Sequence, residues 1–173
     1  MQDRNPRSTA RIAGHPIHPM LVVFPIAFLV STLVCDIVYV NGGNPGWATA
    51  ALWMVGAGVV TALVAALAGF TDFLGDERIR YLGDAWRHMV GNLAAVTLAA
   101  ISWILRATQG AEDAVMPWGL TLSVAVALIL GDSGWKGGEL VFRHRVAVHE
   151  ATDEAAPVTA ALRRSERTER IER

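Results

Sequence analysis

Between Met20 and Gly75 the only formally charged residues are Asp36 and Asp72. A soluble domain cannot carry so long a stretch, because each of its surface elements must turn a polar face to water. The rest of the chain follows the same trend. Hydrophobic residues fill 53% of the 173 positions and charged residues 18%, with a mean hydropathy of +0.36, which is membrane composition. The 15 Lys+Arg and 16 Asp+Glu leave a net charge of -1, so no basic surface argues for nucleic-acid binding. The single cysteine, Cys35, has no partner for an intrachain disulfide, a CxxC motif or a cysteine zinc cluster.

The apolar segments predict an all-α, integral-membrane four-helix bundle with short loops. Met20–Val40 forms the first span; as a helix it would rise roughly 31 Å, enough for a hydrocarbon core of about 30 Å. Arg4, Arg7 and Arg11 precede it as in a signal peptide, but the run is long and no small-x-small cleavage site follows, so an uncleaved span is expected. Pro25 should bend this helix or strip a carbonyl of its donor. The Asn41–Gly46 turn leads to a second span, Trp47–Phe70, where Gly58, Ala62 and Ala66 recur every four positions as a packing seam. The charged connector Thr71–Arg87 is expected to form a short interfacial helix. His88–Leu105 is a short third span that must cross a thin region or extend beyond its apolar core. Ala114–Gly131 is the fourth, with Pro117 near its start.

Charge orients these spans. Arg4, Arg7 and Arg11, then Arg78, Arg80 and Arg87, then Lys136, Arg143 and Arg145 all fall on one side; the opposite loops are poor in basic residues, with Arg106 the chief exception. The positive-inside rule therefore predicts a multi-pass protein of a bacterial inner membrane with both termini in the cytoplasm. The expected organisation is a polar tail at 1–11, a transmembrane domain at 12–149 and a charged cytoplasmic tail at 150–173.

The same topology gathers polar residues at the cytoplasmic ends of the spans. His15 and His18 precede span one, Asp72 ends span two, His88 and Asn92 open span three, and Asp132, Glu139 and His144 lie at or beyond the end of span four. His88 and Asn92, four apart, share a helical face. In a structural reading these groups hydrogen-bond among themselves, since polar side chains at a membrane must be satisfied. In a redox reading two histidines from different helices ligate a b-type haem iron, His18 with His88 preferred and His15 and His144 as alternatives. A non-haem transition-metal site would draw on His15, His18, Asp72 and His88. Asp36 stands apart near the opposite face, where a helix-end role on the exterior side is preferred over hydrogen bonding to a neighbouring helix or a place in a proton path. Asp36, Asn92, Asp132 and Glu139 are the remaining polar-network candidates.

The segment Gly14–Ile26, GHPIHPMLVVFPI, resembles the opening signature of the uncharacterised bacterial transmembrane family catalogued as domain of unknown function 2231. The likeness continues through Asp36, Trp47–Trp53, Gly69–Asp72 and the Gly134–His144 segment GWKGGELVFRH. It implies a compact four-span membrane domain over roughly residues 12–149 and strengthens His15, His18, His88 and His144 as site candidates. It transfers no activity, although some relatives occur with redox modules, and Lys136 replaces the apolar residue expected there. Together these readings describe a structural or partner-binding membrane module with a His-rich cytoplasmic-side site, or alternatively a b-type haem electron-transfer protein. The expected partners are the lipid bilayer and either a second copy or a membrane redox protein.

Overall fold

The computed structural model describes residues 5–148. The charged tail expected at 150–173 lies outside the described residues, as do positions 1–4 of the N-terminal tail. A two-stranded hairpin, β1 (Arg11–Ile12) and β2 (His15–Pro16), leads into α1 (Ile17–Leu21) and α2 (Val23–Gly42). Then follow α3 (Pro45–Gly75), the four-residue α4 (Glu77–Arg80), α5 (Gly83–Gln109), a wide turn at Val115–Gly119, and α6 (Leu120–Phe142).

Local chemistry sets these boundaries. Pro25 lacks the N–H that the Leu21 carbonyl would receive, and the first span divides between Leu21 and Val23. Gly43 ends α2 in the left-handed region, φ 66°, and its N–H returns to Tyr39 O at 2.7 Å. Asn44 then accepts from Gly46 N at 2.9 Å and Pro45 opens α3, the expected pairing of an N-cap side chain with a first-turn proline. Met116 is extended, φ -114° and ψ 135°, which separates α6 from the turn before it.

Among the described residues, four helical stretches are long and apolar enough to cross a membrane: Ile17–Gly42, Pro45–Gly75, Gly83–Gln109 and Val115–Phe142, of 26, 31, 27 and 28 residues. At 1.5 Å per residue they rise about 39–47 Å, more than the hydrocarbon core, so each projects into the interface. The third span thus resolves its short apolar run by extension at both ends. The fourth runs well past the expected Gly131, making most of the GWKGGELVFRH segment helical. Much of the connector expected at Thr71–Arg87 belongs to the ends of α3 and α5, leaving α4 as its short helix.

The four spans close a ring in which α2 packs on α3, α3 on α5, α5 on α6, and α6 back on α2. Leu29, Val55, Val59, Ala95, Ala99 and Val126 form its centre. The small-residue face of α3 is buried at Ala48, Ala51, Val55, Gly58, Ala62 and Ala65, with Ala65 deeper than the expected Ala66. A Cβ at Gly58 would come within 2.6 Å of Leu29 Cδ2, so α2 and α3 approach backbone to side chain there. Large apolar side chains such as Trp53, Leu67 and Leu128 point outward, each more than 70% exposed, as lipid-facing residues should.

Candidate functional site

Two polar centres lie near opposite ends of the bundle. The first joins His18 on α1 to His88 on α5, whose ring centroids are 6.3 Å apart with planes at 86°. His18 Nδ1 lies 2.9 Å from Ala65 O, and His88 Nδ1 2.7 Å from Ser133 O. A carbonyl only accepts, so each Nδ1 carries the proton, and in the neutral ring each Nε2 keeps its lone pair. Asn92 Nδ2 donates to His88 Nε2 at 3.1 Å, consistent with that assignment. Ser133 adds a hydroxyl that donates to His88 O at 3.1 Å, tying α6 to α5.

Backbone without side chains makes room for both rings. A Cβ at Gly69 would lie 2.9 Å from His18 Cε1, and one at Gly137 would lie 2.9 Å from His88 Cε1. Both glycines fall in segments that carry the resemblance noted in the sequence, but their role as ring seats is invisible there because it depends on which histidine faces which helix.

The other candidates at this end do different work. His15 is exposed and donates from Nδ1 to Ala13 O at 3.0 Å. Asp72 Oδ1 accepts from Ser8 Oγ at 2.9 Å and from Thr9 N and Ala10 N at 2.7 Å each. The set His15, His18, Asp72 and His88 is therefore not assembled: a carboxylate bonded by three donors from the N-terminal segment latches that segment to α3. Among the described residues, no group of three or more His, Cys, Asp or Glu side chains is placed to hold a metal ion. Asp76 extends the latch, accepting from Arg7 N at 2.8 Å. Its hydrogen bond from Arg78, reinforced by the Arg7 and Arg78 backbone N–H groups, holds its carboxyl well below the usual carboxylate range.

His144 is paired with Asp84, Nε2 to Oδ2 at 2.9 Å, rather than with another histidine. Lys136 Nζ sits 3.1 Å from both Asp84 and Glu139, so the lysine in the apolar segment is compensated by two carboxylates. Asp132 is exposed.

The second centre corrects the expectation for Asp36. It is not an exterior helix-end group: its side chain and that of Arg106 are both 0% exposed, and Arg106 Nη2 donates to Asp36 Oδ2 at 2.7 Å. Ser123 Oγ donates to the same oxygen at 2.7 Å, and Arg106 Nε donates to Ser102 Oγ at 3.2 Å. Arg106, the exception to the charge rule, is thus consumed inside the protein. Its neighbours Ser102 and Ser123 carry no sequence signal beyond a small polar residue in an apolar helix. Gly119 completes the seat, since a Cβ there would meet Arg106 Nη2 at 2.7 Å.

Four membrane-length helices, two internal polar centres and an outward apolar surface define a multi-pass membrane protein. The chain belongs to the family described as predicted membrane protein (DUF2231), whose model matches residues 14–150. No match is found among curated proteins or among solved structures.

Proposed function

We propose that this protein carries electrons in the membrane through a b-type haem held by His18 and His88. The observation that supports this reading is the meeting of two histidines from different helices, whose ring centroids lie 6.3 Å apart. His18 and His88 would be the residues that hold the iron. The protonated Nδ1 atoms and the two glycine seats fit as well, since they leave Nε2 as the ligating nitrogen of each ring, that of His88 taken by Asn92 in this structure, and fix both rings. When bound, a haem supplies one-electron redox chemistry.

The chain's own residues then hold and insulate. The Ala65 and Ser133 carbonyls orient the imidazoles through Nδ1–H. Asn92 keeps His88 in the ligating tautomer and must turn its amide away for Nε2 to bind. Phe73, Ile79 and Ala85, packed with Met89 and Leu140, supply an apolar cluster that excludes water around this end of the bundle. By the positive-inside rule the basic connectors favour a cytoplasmic histidine end in a bacterial inner membrane, where a membrane redox partner would exchange electrons.

The absorbance spectrum of the purified protein, before and after addition of haem, tests the proposal. A Soret band with low-spin character that is lost in His18→Ala and His88→Ala supports it. Wild-type protein that neither carries nor takes up haem overturns it. One observation favours a structural module instead: Asn92 already satisfies His88 Nε2, so the His88–Asn92–Ser133 cluster is complete by itself. In that case His88→Ala lowers stability without any spectral change.

A further inference from the structure

Asp132 stands on α6 at a depth where a carboxylate should have a partner. It lies ten residues before Phe142, the end of the fourth membrane-length stretch, or about 15 Å at helical rise. That stretch of 28 residues rises about 42 Å, about 12 Å more than the hydrocarbon core. Were the whole excess to project at the Phe142 end, Asp132 would still sit about 3 Å inside hydrocarbon, and about 9 Å with the excess shared equally. It is exposed on the outside of the bundle, and among the described residues nothing hydrogen-bonds to its side chain or pairs with it. An ionisable group in a membrane span ordinarily turns inward or meets a partner, and aspartate lacks the reach by which lysine and arginine return their charge to the interface.

The donor it lacks stands on the same face. Trp135, one turn on, is 71% exposed, and its indole N–H also has no acceptor among the described residues, although in hydrocarbon it needs one. Unused glycines surround that indole. A Cβ at Gly56, Gly58, Gly69, Gly91 or Gly137 would press on a side chain of a neighbouring helix, whereas one at Gly131, Gly134 or Gly138 would meet nothing within 4 Å. Glycine costs a helix interior about 1 kcal/mol relative to alanine, and only the first set has its close contact inside the monomer.

We propose that this outward face of α6 is the interface with a second copy of the chain, packed parallel about a two-fold axis, in which Asp132 and Trp135 supply each other's missing hydrogen bond. Gly131, Trp135, Gly138 and Phe142 follow one another at spacings of four, three and four, the repeat of a left-handed helix pair. In such a pair each seam side chain enters a hole formed by four residues of the facing helix. For Trp135 these are the partner subunit's Gly131, Gly134, Trp135 and Gly138, so three of the four walls are the glycines that the monomer leaves open. Bare backbone there gives an indole room and lets the helices approach. Asp132 flanks the same hole: the indole N–H donates to the partner subunit's Asp132, and the two-fold axis makes the reciprocal bond. One face thus carries acceptor and donor, knob and hole, which is the self-complementarity that a two-fold contact requires and the reason the occupant is a second copy. Ser123 and Ser133, which serve the two internal centres, are buried on the other side of α6, so the interface is independent of whether His18 and His88 bind haem.

The full chain, reconstituted in phospholipid vesicles as mixed donor-labelled and acceptor-labelled populations, reports association by energy transfer as protein is diluted in lipid. Transfer above the level of random proximity is expected; transfer that never exceeds that level, with lipid alone covering the face, overturns the proposal. Gly131→Val with Gly138→Val should lower the association constant by about tenfold or more. The unfolding midpoint and the His18 and His88 imidazole resonances should stay at their wild-type values, because a Cβ at either position has no neighbour in the monomer. Undiminished transfer in that variant puts the contact elsewhere and overturns the proposal. Trp135→Phe keeps the ring and removes both cross-subunit bonds, so association should weaken about fivefold to tenfold, and Asp132→Ala should add little to that loss because the same bonds are already gone. Trp135→Phe protein that associates as tightly as wild type overturns the pairing.

Discussion

Replacing Arg106 with methionine keeps most of the side-chain volume but removes the cation that pairs with Asp36. Asp36 would retain the Ser123 hydroxyl and lose its charge partner, at a position with no exposure of either side chain. Removing one member of a buried pair costs about 3–5 kcal/mol, because the other charge is left uncompensated. For a chain of this size that corresponds to a fall in melting temperature on the order of 10 °C. The informative comparison is the double variant Asp36→Leu with Arg106→Met. If the cost of the single change is the stranded carboxylate, removing that carboxylate as well should recover most of the loss, even though two substitutions have replaced one. Reversible unfolding in mixed micelles, read by tryptophan fluorescence, would give the three stabilities needed for the comparison. A single variant within about 1 kcal/mol of wild type, or a double variant less stable than Arg106→Met, would refute the reasoning.

Three further outcomes follow from the histidine end. Gly69→Ala and Gly137→Ala should each destabilise by about 1–3 kcal/mol by overpacking, with shifted imidazole resonances for His18 and His88 respectively; unchanged resonances would show that the rings do not use those seats. Asp72→Ala should speed amide exchange at Thr9 and Ala10, whose N–H groups lose their common acceptor, while exchange at the centre of α3 stays slow. Asp76 has a depressed carboxyl pKa, so its contribution is complete above the unfolded value of 3.8 and is lost as pH falls below that value toward the folded one. Protection of the Arg7 amide should therefore hold at pH 5, weaken below about pH 4, and lose this dependence in Asp76→Asn.

The spans are legible in the sequence because charge is excluded from hydrocarbon, and a membrane-length run without charge marks the segment that hydrocarbon must surround. Helix ends are less legible: the third and fourth helices continue into the interface, where polar residues no longer mark a boundary. The meeting of His18 with His88 follows from topology, since alternating helices bring both to one end. Asp72 escapes the same reasoning, because a carboxylate's partners can be backbone N–H groups that leave no trace in residue identity. For Asp36 the sequence points to the right end of the bundle and the wrong depth. Its partner Arg106 lies 70 positions away, and a lone charge in an apolar helix reads the same whether it reaches out to headgroups or inward to an opposite charge.

Both centres are built on one device, and the reason lies in the solvent. Between membrane helices lipid tails remove most of the hydrophobic incentive to associate, so contact depends on close packing and on polar groups that need partners. Here large side chains are pressed onto bare backbone: His18 onto Gly69, His88 onto Gly137, and the Arg106 guanidinium onto Gly119. Each contact crosses between helices or spans a turn, and each fixes the orientation of a polar group whose hydrogen bonds then complete the joint. His18 and Asp36 stand at the two ends of the first span, roughly 27 Å apart at helical rise. The bundle is thus pinned near both membrane faces, with the alanine-lined centre left to shape alone. A protein pinned in this way can alter the histidine pair without loosening the ion pair, so substitutions at Gly137 and Gly119 should combine additively in stability, as expected of distant, independent sites.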